Sequence, residues 1–402
     1  MLSPEYLLRI SEGAEDIAEQ LHNDIIRRIV KRIMIRLGRG DNYILTANDK
    51  WQLEVLQDAG YLLTDIQAEV AKYTALQQIE ILEAMEAAGV ENLIYDDAIY
   101  TAAGLSPPPL KQSPALLRIA QRNYKSTLGE WKNYTQTTAK AAQQLFIQQC
   151  DRAYTLVTSG TISYTQAVKE AADVISTQGV EVVYPTGHKD TIETATLRAV
   201  RTGVSQMAAE ITDSRMDEMN WDIILVSAHL GARVTDKEDY TNHYWWQGKF
   251  YSKSGKDLRF PPFSVCNMGD VQGIHGANCR HSHGPGDGVH NPFEHYGSEK
   301  NKEAYDLQQR QRTLERRIRK TKRRVMGLKE SVDSAPDEPT RQTQQEAYEK
   351  AAALLQKQNQ TYNQFCKDND LKRLTDRISI AKWDRKQAAQ AAAAVRRHNS
   401  KT

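Results

Sequence analysis

Cysteine is scarce in this chain: four residues in 402, widely scattered. Isolated thiols make no disulfide framework, so packing must hold the fold, and the expected folding environment is reducing. No stretch approaches the roughly 18 consecutive apolar residues of a membrane helix, so no membrane span is expected. The opening MLSPEYLLRISEGAED has no basic run followed by an apolar one, and no secretory leader is expected. An excess of one charge is missing too. Lys plus Arg number 53 against 51 Asp plus Glu, so net charge exerts no global pull toward nucleic acid or an acidic membrane. No internal repeat of about 20–50 residues marks a solenoid. What remains is an ordinary soluble composition, 40% hydrophobic and 26% charged, in a chain long enough for two or three domains.

Most of that length reads as helix. Residues 3–37 predict one amphipathic helix, with Ser3 as cap, Pro4 at the first helical position, and Gly38 and Gly40 as terminators. Ile10, Ala14, Ile17, Leu21, Ile25, Ile29 and Ile33 form its apolar stripe. Arg27, Arg28, Lys31, Arg32 and Arg36 face outward, either solvated or docking a partner. Short helices are expected next. One is capped by Thr46 and ends near Gly60, and Thr64 with Gln67 and Thr74 with Gln77 fit capping boxes. After the stiff SPPPL connector, 113–159 reads as one long helix with a candidate break at Gly129. A short helix over 165–176 follows. VEVVY reads as a strand, then a helix from Asp190 or Thr191 to about Met219, then strands in WDIILVSAH and KFYS. Beyond Gly297, Leu307, Leu314, Ile318 and Val325 give a coiled-coil-like seam. SAPDEP turns the chain into a returning helix carrying Ala347, Leu354, Tyr362 and Phe365, and the Ala-rich end is expected to fray.

One stretch breaks this pattern. Between Asp222 and Tyr296 lie seven of the ten histidines, two of the four cysteines and two of the six tryptophans. A Gly/Pro/His/aromatic island in a helical chain predicts a compact irregular domain. Cysteine and histidine are natural zinc ligands, and Cys279-Arg-His281 places two close together. Cys266, His275 and His243 are the candidates to complete a tetrahedral set, taken here as His243, Cys266, Cys279 and His281. There is no CxxC pair and no HExxH, so hydrogen-bonded packing of the loop is the competing reading. A cysteine nucleophile with a histidine base would make the island an enzyme site, but no further signature accompanies Cys279. GPGDG at 284–288 lacks the P-loop pattern.

A second constellation is basic. From Arg310 to Arg324, nine of fifteen residues are Lys or Arg, opposed only by Glu315. Arg316, Arg317, Arg319, Lys320, Arg323 and Arg324 are the candidates to lie along nucleic-acid phosphates in a salt-dependent, sequence-blind way. The alternatives are a solvated coiled-coil flank or pairing with acidic residues of the returning helix. Few aromatics interleave, which argues against base stacking.

Several segments together carry a resemblance. They are YDDAIYTAAGLSPPPLKQSPAL at 95–116, VVYPTGHKD at 182–190, RAVRTGVSQMAAE at 198–210, SAHLGAR at 227–233, WWQGKFYS at 245–252 and GANCRHSHGPGDG at 276–288. With the basic tail, they resemble the minor capsid protein 2 family of tailed phages and prophages, itself similar to the Mu F-like head-morphogenesis group. SHGPGDGVHNPFEHYG after NCRH, and TDKEDYTNHYW before WQGK, depart from the family pattern. The resemblance implies a low-copy structural virion component, not an enzyme, at the portal vertex, acting in head morphogenesis or DNA delivery. Implied partners are the portal protein, other capsid components, packaged DNA and further copies of itself. No cofactor is expected beyond the structural zinc that the His/Cys residues themselves suggest. His229, Arg233, Trp246, Gln247, Gly248 and Arg280 are expected to hold the island together. The expected fold is predominantly helical α+β: a helical docking domain over 1–178, a mixed domain over 179–297, and a basic helical hairpin and tail over 298–402.

Overall fold

The computed structural model describes residues 1–37, 48–184 and 186–401. It is 69% helical, with two small antiparallel sheets. The helices are α1 (Pro4–Arg9), α2 (Glu12–Leu37), α3 (Asn48–Ala102), α4 (Pro114–Thr158) and α5 (Tyr164–Gln178). After strands β1 (Glu181–Val183) and β2 (Lys189–Thr191) come α6 (Ile192–Glu218) and β3 (Ile223–Val226). The single-turn α7 (His243–Trp246), β4 (Phe250–Ser252) and β5 (His283–Pro285) complete the irregular stretch. The tail is α8 (Ser298–Asp333), α9 (Glu338–Asp368), α10 (Thr375–Ile378) and α11 (Arg385–Asn399).

The chain forms two compact units, each assembled from three separate segments. Unit 1 comprises Met1–Glu15, Ala75–Lys132 and Thr196–Gln309; unit 2 comprises Asp16–Thr74, Asn133–Ala195 and Arg310–Thr402. The expected boundaries near 178 and 297 follow chain order, whereas the compact units gather distant segments.

Ser3 caps α1 as its residue type predicts, its hydroxyl accepting from the Tyr6 N–H at 3.1 Å. A turn at Ile10 and Ser11 separates α1 from α2, so the single helix expected over 3–37 is two. Its expected terminators, Gly38 and Gly40, and the Thr46 cap lie outside the described residues. The basic face of α2 meets the chain's own next helix. Arg36 is buried, pairing with Glu54 and Asp58, while Arg32 pairs with Asp65 and Arg28 with Glu69.

The short helices expected after residue 48 are one helix of 55 residues. Trp51, Val55, Ala59, Leu62, Ile66, Val70, Tyr73, Gln77, Ile81, Ala84 and Ala88 are buried along it. Steps of four, four and three residues average about 3.67 per turn, so the stripe stays on one face. The supposed caps are internal: the Thr64 hydroxyl donates to the Gly60 carbonyl and Thr74 to Val70. Continuous burial of one face outweighs these local breaking signals. Likewise α4 passes through Gly129 unbroken.

In unit 1 the three-stranded sheet has the order β4-β3-β5, antiparallel throughout, with Ile224 opposite Tyr251 and Val226 opposite His283. Ile224, Val226 and Tyr251 pack with Tyr100 of α3, Met216 of α6, and Trp246, Phe263, Cys266, Ile274 and Cys279. Unit 2 has its own core, where Ile318, Val325 and Leu328 of α8 meet Ala347, Ala351, Leu355 and Tyr362 of α9. Leu354, an expected core position, is 39% exposed, and its neighbour Leu355 takes the place at 5%. The Ala-rich end does not fray. Ala391, Ala394 and Val395 of α11 are buried in the same core, and Arg397 and Lys401 both pair with Glu349.

Candidate metal centre

The buried strand β3 runs into the island, and backbone pairing fixes its exit. The Ser227 N–H donates to the Ser282 carbonyl at 2.9 Å, and the Ser282 N–H to the Ser227 hydroxyl at 2.9 Å. This holds 227–229 beside 281–283. The WQGK and NCRH segments, far apart in sequence, therefore meet. Gly248 takes φ 63°, and a Cβ there would lie 3.2 Å from that of Ala228. A side chain would be strained on both counts, so the turn that returns Gln247 to the site needs glycine.

His243 opens α7, which Asn242 caps by accepting from the Trp245 N–H. Cys279 and His281 come from the far side of a tightly folded loop. In that loop Ile274 N–H donates to Cys266 O at 3.0 Å and Ala277 N–H to Val271 O at 2.8 Å. A Cβ on Gly273 or Gly276 would sit 2.1 or 2.5 Å from a loop carbonyl, so both must be glycine.

His243, Cys279 and His281 are all buried, and each offers a ligand atom within 4.8 Å of the others. The proton positions follow from neighbours that have no choice. The His229 backbone N–H donates to Gln247 Oε1 at 3.0 Å, so that atom is an acceptor, and His281 Nε2, 3.0 Å from it, must carry a hydrogen. The lone pair of His281 is thus on Nδ1, 3.7 Å from Cys279 Sγ. The Gln272 carbonyl can only accept, so His243 Nε2 donates to it at 2.8 Å and leaves its lone pair on Nδ1. The sulfur in turn accepts the His281 N–H at 3.4 Å. Trp246 walls the site, its ring 4.6 Å from that of His243 and 4.7 Å from that of His281, while His229 stacks on His281 at 4.4 Å.

Burial sets the charge states. It pushes His243 down to about 4, against the pull of the Gln272 carbonyl. Burial, then the nearby His229, His243 and Arg280, hold His281 well below its ordinary value, so both rings are neutral near pH 7. Burial also raises the Cys279 thiol. The two arginines brace the loops. Arg233 donates to the Gln272 and Ala277 carbonyls, and Arg280 to His229 Nδ1 and Gln308 Oε1.

Of the four expected ligands, Cys266 stands apart. It lies in the one-turn helix Phe263–Cys266 and packs into the sheet core. The Tyr251 hydroxyl donates to the Trp246 carbonyl at 2.6 Å and also hydrogen-bonds with Cys266, whose thiol burial pushes up to about 12. His275 is engaged elsewhere, in a relay that residue spacing does not reveal. Ser205 of α6 meets His275 Nδ1 at 2.8 Å, His275 Nε2 meets His283 Nδ1 at 2.8 Å, and His283 Nε2 meets Asp213 Oδ1 at 3.3 Å. With the carboxylate as final acceptor, every member donates toward Asp213, which pins the loop and β5 to α6.

The basic run belongs to unit 2, and its members have divided fates. Arg323 is buried between Glu19 and Glu193, Arg324 grips Asp173 through two hydrogen bonds, and Arg319 donates to the Arg377 carbonyl. Arg316, Arg317 and Lys320 are exposed.

A WQGK turn and an NCRH turn thus meet at one buried His/Cys cluster in a chain of long helices. The family model of phage minor capsid protein 2 matches residues 2–367. The chain belongs to that family, whose role is structural, in the phage capsid. No curated protein and no solved structure matches it. No helix among the described residues is long and apolar enough to cross a membrane.

Proposed function

We propose that this minor capsid protein acts at the portal vertex, in head morphogenesis or DNA delivery, as a Mu F-like adaptor built around the island. It would assemble in the host cytoplasm and remain in the virion. The observation that carries this reading is an apolar face left uncovered on α3. Leu76, Ile79, Leu82, Val90 and Ile94 are 40–63% exposed. At about 100° per residue they fall within roughly one third of the helix circumference. Exposed large apolar side chains gathered on one helix face, here interspersed with the exposed Glu83 and Glu86, make a surface that a protein partner can cover. In a capsid component the occupant is another structural subunit, and the portal protein is the one proposed here.

The basic hairpin enters the same reading. Arg316, Arg317 and Lys320 are free of the pairings that consume Arg323 and Arg324, and would face packaged DNA. No turnover is assigned to the island, in which Cys266, Cys279, His243, His275, His281 and His283 are buried.

Co-expression with the portal protein encoded in the same phage or prophage, followed by mass analysis, tests the proposal. A defined complex is expected, and it should be lost in the double variant Ile79→Arg, Ile94→Arg, whose exposed positions leave the fold intact. A complex that survives the variant would move the interface elsewhere, and no complex with the wild-type chain would overturn the portal assignment.

A further inference from the structure

We infer that this chain binds one zinc ion, through the sulfur of Cys279 and one ring nitrogen each of His243 and His281. The inference does not depend on portal association and concerns the isolated chain.

Three features support it. The donor set is the mixture of nitrogen and sulfur that zinc prefers over harder divalent ions. The geometry is close to that required. Bond lengths of about 2.0–2.3 Å at tetrahedral angles place ligand atoms roughly 3.3–3.8 Å apart. The Cys279 Sγ to His281 Nδ1 distance is 3.7 Å, and all three ligand atoms lie within 4.8 Å of one another. The surrounding shell is also arranged for it. Each imidazole gives its Nε2 hydrogen to a carbonyl oxygen, that of Gln247 or Gln272, which fixes the tautomer and ring orientation as in metal-bound histidines. A backbone N–H points at the sulfur, as a thiolate ligand requires.

Simple core packing accounts less well for these contacts. The one partner that meets the His281 Nδ1 lone pair is a thiol at 3.7 Å, a weak donor. A buried lone pair so poorly served costs stability, whereas a cation would satisfy it together with the sulfur. Three protein ligands leave a fourth position for water. The proposed role is structural, tying the α7 turn to the loop that ends at β5. Arg233 and Arg280 direct their guanidinium groups to carbonyls and to Gln308, which limits their repulsion of the ion.

Cobalt(II) in reducing buffer, titrated into the purified full-length chain and then displaced by zinc, is the test. About one equivalent should bind, with a sulfur-to-cobalt charge-transfer band that zinc abolishes. Cys279→Ser should lose the band and Cys266→Ser should keep it. Gln247→Ala, which unties His281, should weaken binding roughly 10- to 100-fold. If Cys279→Ser does not fold, as judged by circular dichroism, the wild-type band and the Gln247→Ala affinity decide. Wild-type protein without the band at saturating cobalt would overturn the inference. So would a folded Cys279→Ser protein that keeps the band, or Gln247→Ala protein that binds as tightly as wild type. A band lost in Cys266→Ser but kept in Cys279→Ser would mean the wrong sulfur had been chosen.

Discussion

Arg323→Met would expose how much of unit 2 hangs on one cation. Arg323 is 8% exposed and bridges two buried carboxylates, Glu19 at 5% and Glu193 at 2%. His22 donates its Nδ1 hydrogen to Glu193 at 2.8 Å, because its Nε2 already accepts the Val180 N–H at 3.1 Å. Removing the guanidinium leaves Glu19 with the Ala381 N–H and Glu193 with His22. Breaking a buried pair in this way costs about 3–5 kcal/mol, mostly as stranded charge. For a cooperative unit of about 200 residues, each kcal/mol shifts Tm by roughly 2–4 °C, so a drop of about 6–20 °C is expected in a circular-dichroism melt. Arg323→Lys should recover only part of it, since an ammonium group does not bridge two carboxylates as a planar fork does.

The pH dependence adds a sign. Burial alone would raise the Glu193 carboxyl, but Arg323 and then His22 outweigh it and hold the group well below its ordinary 4.5. A depressed carboxyl contributes stability that is present above pH 4.5 and lost as the pH falls toward its folded value. The Glu193 contribution should therefore be lost on acidification below that point, while Glu19, whose carboxyl burial raises despite Arg323, acts in the opposite sense. In Arg323→Met the burial effect is unopposed by the guanidinium, and mild acid should relieve the strain. A variant melting within about 2 °C of wild type, with an unchanged acid profile, would refute the reasoning.

Further outcomes follow from single contacts. Leu355→Ala should cost about 2–5 kcal/mol by urea denaturation and the adjacent Leu354→Ala well under 1, because only the first fills the α8–α9 core. Lys322 donates to the Ile378 carbonyl at 2.6 Å, and burial, then Arg373, lowers it from 10.5 to about 8. Between those values the unfolded chain holds more protons, so the stability of wild type relative to Lys322→Met should rise with pH across that window in pH-dependent melts, and a flat difference would contradict the lowered lysine. If the hairpin contacts DNA, replacing Arg316, Arg317 and Lys320 by Gln together should reduce the slope of log affinity against log salt by about 3, and an unchanged slope would exclude phosphate contacts there.

Much of this architecture is legible in the residues. The Ser3 cap, the strand segments in VEVVY, WDIILVSAH and KFYS, and the hairpin turned by SAPDEP all carry local chemistry that specifies them. The misreadings have physical causes. Thr64 and Thr74 have the spacing of caps, but a threonine hydroxyl is equally served by the carbonyl four residues back. Strand β5 is His-Gly-Pro, poor in strand propensity, and exists because β3 offers it an edge. The one-residue slip between Leu354 and Leu355 arises because adjacent leucines suit either heptad phase. At the site, residue type alone proposed His243, Cys279 and His281 together with Cys266. Only folding distinguishes the thiol directed at Tyr251 from the one directed at His281. The Ser205–Asp213 relay had no sequence signal, since its members lie on three separate segments.

The interleaved segments of the two units have a consequence for synthesis. Unit 1 needs residues up to Gln309 before its last piece exists, and unit 2 needs the end of the chain, although both begin within the first sixteen residues. At roughly 5–20 residues per second, a ribosome would hold early helices such as α2 and α3 without their late partners for tens of seconds. Neither unit can be completed while the chain is still short, and no simple truncation isolates one. Until then the unfinished apolar faces are open to self-association unless chaperones, or early contacts among α2, α3 and α4, cover them.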